Sequence, residues 1–268
     1  MNRSLDYYRE LANRANLEIN VPAAHKTLFK AGVYTEECLK RYYYDQLSKK
    51  YGESLAPCAN DDVCKYCKEF HVKTLKKIDK SSDIELGNNL EKCFRDYFEQ
   101  KLNSQGLGIR CLRADNDNLH MPDFKIVRVS DQKEIAFFEF KVILRPFIYI
   151  SKVNSNYLCY SHSLTLDLSN GKKLHNQRKL VEDNIGTSNT VYVYWYDLPC
   201  VKGVFWMRSE RVYQIMDEQI EYDRKHVAGD YNNKGKKVGS TKKLYLPLLE
   251  MHDFKDLLNY YYKLAKNP

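Results

Sequence analysis

Residues 121–143 read MPDFKIVRVSDQKEIAFFEFKVI, and they set ionisable side chains into a run otherwise composed like a buried strand. Residues 135–143 are apolar, β-branched and aromatic over the length of a central strand. Ser130, Asp131, Gln132 and Lys133 form a polar tetrad suited to a turn, with Phe124, Ile126 and Val127 leading into it, so the stretch reads as a hairpin. A turn centred near Asp131 sets Asp123 roughly opposite Glu139. Because strand side chains alternate between faces, Glu139 and Lys141 share one face with Ile135 and Phe137, while Phe138, Phe140 and Val142 share the other. The plainer reading, polar strand residues facing water, is at odds with the apolar start of that face. A buried charge is costly unless a partner or a metal compensates it. Two carboxylates and an amine gathered there point to a site.

Pro122-Asp123, then fifteen residues, then Glu139-Phe140-Lys141 resemble the signature of the PD-(D/E)XK nuclease superfamily. The motif falls on the expected hairpin, follows a helix that bears a glutamate, and precedes a helix and another strand. That order is similar to the αβββαβ core of the superfamily, and the resemblance covers about residues 83–207, roughly half the chain. It implies an α/β, restriction-endonuclease-like fold with a mixed central sheet. It further implies Mg²⁺-dependent hydrolysis of phosphodiester bonds, with Asp123 and Glu139 as metal ligands and the carbonyl of Phe140 as a further one. Magnesium asks for only one or two protein carboxylates, keeping waters and substrate oxygens for its other positions. Lys141 would face the nucleophilic water or the scissile phosphate. An acidic residue on the first core helix often assists the metal in this superfamily, and Glu91 resembles it, with Glu85 and Glu99 as competitors.

That helix begins after Ser81-Ser82-Asp83, and Leu86, Leu90, Phe94, Tyr97, Phe98 and Leu102 form its apolar stripe, with Glu91 on the stripe's edge. Gly106 and Gly108 end it, and residues 108–112 read as the first strand. Residues 190–199 and 200–207 read as two further strands. A helix is expected over 173–183, another from Ser209 to about residue 227, and a last one over 253–266.

Residues 1–80 look helical, with Leu5, Tyr8, Leu11, Ala12 and Ala15 at helical spacing and a further helix expected over 35–51. The expected division is a helical lobe over 1–80, suited to DNA recognition, and a nuclease domain over 81–268. Inside the lobe, Cys64, Cys67 and His71 are spaced i, i+3, i+7 and share a face if a helix begins near Asp62, with Cys58 able to close the set. Three thiolates and an imidazole suit a structural Zn²⁺ site. Equally, Cys64 and Cys67 could be small core residues, with His71 solvated.

Lys and Arg exceed Asp and Glu by 43 − 35 = 8 among 268 residues, and tyrosine numbers 22. A basic, tyrosine-rich surface suits a polyanion with stackable bases. Lys234, Lys236, Lys237, Lys242 and Lys243 fall among Gly, Asn and Ser, a flexible loop suited to gripping phosphates or simply to solvation. Gln177 and Arg178 lie on the helix after the catalytic strand, which in many superfamily members offers a polar residue to the substrate; the tyrosine four residues on is lacking here. No apolar leader or membrane-length run is evident, so a cytoplasmic protein with free or metal-bound thiols is expected.

Taken together, these features lead to the expectation of an endonuclease cutting double-stranded DNA, similar to type II restriction enzymes, which often act as homodimers on palindromes. Defence effectors, recombination nucleases and transposon end-cutting subunits share the core. A zinc-supported DNA-binding module without catalysis is the alternative of a different class.

Overall fold

The computed structural model describes residues 3–19, 80–115, 117–118, 120–143, 164–167, 173–185, 189–197, 202–218, 222–224 and 241–266. These form a mixed α/β arrangement around a six-stranded sheet. The chain runs α1 (Arg3–Glu18), α2 (Lys80–Asn103), β1 (Ile109–Arg113), β2 (Phe124–Arg128), β3 (Glu134–Ile143) and β4 (Leu164–Asp167). It continues through α3 (Lys173–Leu180), which ends in a π turn over Val181–Ile185, then β5 (Thr190–Asp197), β6 (Lys202–Arg208) and α4 (Ser209–Glu218). Last come β7 (Tyr222–Arg224), β8 (Thr241–Leu246), β9 (His252–Asp253) and α5 (Phe254–Lys266).

The main sheet has the order β1-β2-β3-β5-β6-β9, and a smaller one has the order β4-β8-β7. Strands β1, β2 and β3 pair antiparallel, β3 runs parallel to β5, and β5 pairs antiparallel with β6. The parallel pair requires a crossover, and α3 lies in it. Gln132 takes a positive φ of 56° in the β2–β3 turn, the left-handed geometry that lets a short turn reverse the chain.

Strand β3 is buried on both faces from Ile135 to Phe140, as a central strand covered by two helical layers must be. On one face Phe138 and Phe140 meet α2: the Phe94 ring stacks on Phe140 at 4.5 Å and meets Phe138 edge-on at 6.1 Å. All six residues of the expected α2 stripe, Leu86, Leu90, Phe94, Tyr97, Phe98 and Leu102, are buried. Helix α5 joins the same layer, with the Tyr261 hydroxyl donating to the carbonyl of Phe137 at 3.2 Å. On the opposite face of the sheet, α3 and α4 cover Glu139 and Tyr192 through Gln177 and Tyr213.

Three differences from the sequence reading have physical causes. Helix α1 packs on α2, α5 and β6, and its Tyr8, Leu11 and Ala15 belong to the same core as the sheet. An expected boundary at residue 80 therefore does not set α1 apart. The helix from Ser209 ends at Glu218, and Tyr222–Arg224 pairs instead with β8, because backbone partners across a sheet outweigh a weak helical preference. Lys242 and Lys243 were expected in a loop and lie in strand β8, opposite Asp223 and Tyr222.

Candidate functional site

The β2–β3 register builds the site. Phe124 pairs with Phe138, Lys125 with Phe137 and Ile126 with Ala136, so one further step toward the sheet end places Asp123 opposite Glu139. Asp123 is pinned there by the backbone N–H of Phe140, which donates to its Oδ2 at 2.8 Å. Alternation then puts Lys141 beside Glu139, and its Nζ lies 2.6 Å from Glu139 Oε1 and 3.7 Å from Asp123 Oδ2. The three expected residues converge.

Glu139 is only 2 % exposed, and its carboxylate is fully partnered. Oε1 accepts from Lys141 and also from Lys173 at 2.8 Å; Oε2 accepts from the Gln177 amide at 2.8 Å. The Gln177 carbonyl oxygen accepts from the Tyr192 hydroxyl at 2.5 Å, which lies 3.4 Å from the Tyr213 hydroxyl. Charged partners on one oxygen and a neutral, doubly anchored amide on the other fix the carboxylate plane.

Sequence reasoning missed Lys173 and Tyr192. Lys173 and Gln177 are four residues apart on α3 and so share a helix face, a signal that was legible once Gln177 was singled out. Tyr192 pairs with Glu139 in the β3–β5 register. Its role follows from strand pairing across fifty residues of chain and has no local signal.

The electrostatics separate the carboxylates. Burial alone would raise Glu139, yet the ammoniums of Lys141 and Lys173 hold it down to about 2. Asp123 is raised by burial, which the same lysines only partly oppose. Lys141 is pulled down by burial but held above the ordinary lysine value by Asp123 and Glu139. Glu91 is pushed up to about 7 by burial and then by the negative charge of Asp123, with Arg113 and Lys141 opposing. It thus lies within electrostatic reach of the pair, as expected from α2.

Glu91 Oε1 is at 2.5 Å from Arg113 Nη2, yet outside hydrogen-bonding geometry, and has no hydrogen-bond partner. Of its competitors, Glu99 accepts from the backbone N–H of Cys111 and so secures β1, and Glu85 is exposed.

Gln177 and Arg178 are placed differently from the expected DNA contacts. Gln177 is buried and spent on Glu139 and Tyr192, while Arg178 pairs with Glu182 at 2.9 Å and Asp217 at 2.6 Å. Cys58, Cys64, Cys67, His71, Lys234, Lys236 and Lys237 lie outside the described residues.

Among the described residues, no group of three or more His, Cys, Asp and Glu side chains is gathered to hold a metal ion. The carboxylate pair of Asp123 and Glu139 still fits a hard divalent cation such as Mg²⁺, which needs no more protein ligands than these. Among the described residues, the ion-pair contact of Asp123 Oδ1 is with Lys173 at 4.0 Å, and Glu91, ion-paired with Arg113, lies within electrostatic reach of the carboxylate pair. Phe140 contributes its N–H to Asp123 and its ring to the core. Among the described residues no helix is long and apolar enough to cross a membrane. Comparison with protein-family models, with curated proteins and with solved structures yields no match.

Proposed function

We propose that the chain is a Mg²⁺-dependent endonuclease of the PD-(D/E)XK type, hydrolysing phosphodiester bonds of double-stranded DNA in the manner of type II restriction enzymes. The observation that carries this reading is the convergence of Asp123, Glu139 and Lys141 at the end of a hairpin, with Lys141 Nζ within 4 Å of both carboxylates. Support comes from the order α2, β1, β2, β3, α3, β5, interrupted between β3 and α3 by β4 of the smaller sheet, with β3 parallel to β5, which is similar to the superfamily's αβββαβ core.

Each residue then has a task. Mg²⁺, when bound, neutralises charge at the attacked phosphate and acidifies a water molecule. Asp123 and Glu139 hold it. Lys141, beside both carboxylates, serves as a positive hydrogen-bond donor to the phosphate and the incoming water. Glu91, within electrostatic reach of Asp123 and paired with Arg113, would assist the metal, as the acidic residue on the first core helix does in the superfamily. A homodimer would present two such sites for the two strands of a palindrome.

Incubation with plasmid and Mg²⁺ tests the reading. The unaltered protein is expected to yield discrete fragments, and Asp123→Ala and Lys141→Ala to yield none within the time the unaltered protein needs for complete digestion. DNA binding without cleavage, across varied substrates and divalent cations, would instead make the chain a non-catalytic DNA-binding module.

A further inference from the structure

Glu139 Oε1 carries two ammoniums at once, Lys141 at 2.6 Å and Lys173 at 2.8 Å. Two carboxylates and two ammoniums close the charge balance without any added ion, so a divalent cation reaching Glu139 must displace a lysine. The two lysines are tethered differently. Lys141 leaves β3 only two residues from Glu139 and lies between it and Asp123, at 2.6 and 3.7 Å. Lys173 is the first residue of α3 and spans the site from another element, 37 % exposed, with 4.0 Å to Asp123 Oδ1. The two side chains are alike in exposure, 37 % for Lys173 and 35 % for Lys141. Swinging Lys173 outward breaks, among the described residues, only these contacts, whereas Lys141 is rooted on β3 two residues from Glu139 and bridges both acids.

An ammonium released at the rim of the site is a ready partner for a backbone phosphate. Resting on the nuclease reading above, we infer that Lys173 is an internal counter-ion. It occupies Glu139 in place of the divalent cation until a DNA backbone phosphate draws it away, so that DNA binding and metal loading reinforce each other. By linkage the coupling runs equally in both directions.

The test compares the full chain with Lys173→Met, which keeps the side-chain length and removes the charge, and with Lys173→Arg, which keeps the charge. Lys173→Gln stands in should the Met variant fail to give a native thermal transition. Calorimetric titration with Mg²⁺ in the absence of DNA is expected to show Lys173→Met binding roughly tenfold tighter than the unaltered protein, within the usual range of intersite coupling. Lys173→Arg should stay close to the unaltered value. In parallel, affinity for a pool of random-sequence DNA duplexes is measured in EDTA and in Ca²⁺, another oxygen-seeking cation. Ca²⁺ should tighten DNA binding several-fold in the unaltered protein and much less in Lys173→Met. Equal or weaker Mg²⁺ binding by Lys173→Met, in a protein that still cleaves plasmid, overturns the inference and leaves the nuclease reading standing. Absence of divalent binding by both the unaltered protein and Lys173→Met overturns both.

Discussion

Gln177 and Glu139 are 38 residues apart in the chain and meet through a 2.8 Å hydrogen bond in the buried interior. The Gln177 amide is itself anchored by the Tyr192 hydroxyl, so one oxygen of the candidate metal ligand is oriented by a chain of two uncharged groups from α3 and β5. Partners of this kind set the direction and basicity of a ligand without touching the metal.

Tyr192→Phe removes one hydroxyl and almost no volume, and Gln177→Leu removes the amide. Each is expected to weaken Mg²⁺ affinity by about 10- to 100-fold, with Gln177→Leu the more severe because Glu139 Oε2 then has no partner. Calorimetry on the DNA-free protein measures this. Affinity unchanged in both variants would show that Glu139 is positioned by its lysines alone.

Lys141→Ala removes the donor aimed at the reacting phosphate and is expected to slow cleavage by about 10²- to 10³-fold. Because Lys173 still neutralises Glu139, the variant should remain folded, with a thermal midpoint close to that of the unaltered protein. Single-turnover rates at saturating Mg²⁺ give the comparison; a change in metal affinity alone, with the rate intact, would assign Lys141 to neutralising the carboxylates.

Glu91 has its carboxyl raised from 4.5 to about 7, by burial first and the charge of Asp123 second. Between these two values the folded chain holds a proton that the unfolded chain has released. Stability in the absence of divalent cations is therefore expected to fall as pH rises from about 4.5 to about 7, by at most about 1.4 kcal/mol per pH unit. Urea denaturation in steps across that window should show the decline, and Glu91→Gln should flatten it. A slope that Glu91→Gln leaves intact would place the responsible group elsewhere.

Phe138 is fully buried and lies 4.9 Å from the Phe124 ring and 5.8 Å from the Phe98 ring. Phe138→Ala is expected to cost about 3–5 kcal/mol of stability, read from the urea midpoint. A loss under 1 kcal/mol would mean that the aromatic layer between α2 and the sheet closes over the gap.

Much of the site could be read along the chain. The period of two and the polar tetrad around Asp131 were enough to set Asp123 opposite Glu139 and to put Lys141 beside it, because strand alternation is a property of the backbone and needs no distant partner. The α2 stripe was legible for the same reason at a period of 3.6. The residues that complete Glu139 were not. Lys173 reaches Glu139, and Tyr192 reaches Gln177, only because β3 and β5 run parallel with α3 across their face. The spacing of Lys173 and Gln177 shows that they share a helix face, and no local pattern encodes over which strand a crossover helix brings that face. The same limit explains α1, whose amphipathic spacing told that it buries a face but not that the face lies on α2, α5 and β6, and Tyr222–Arg224, where strand pairing with β8 prevailed over the helix expected there. Periodicity specifies which face of an element is buried; the partner it is buried against is chosen by the packing of the whole chain.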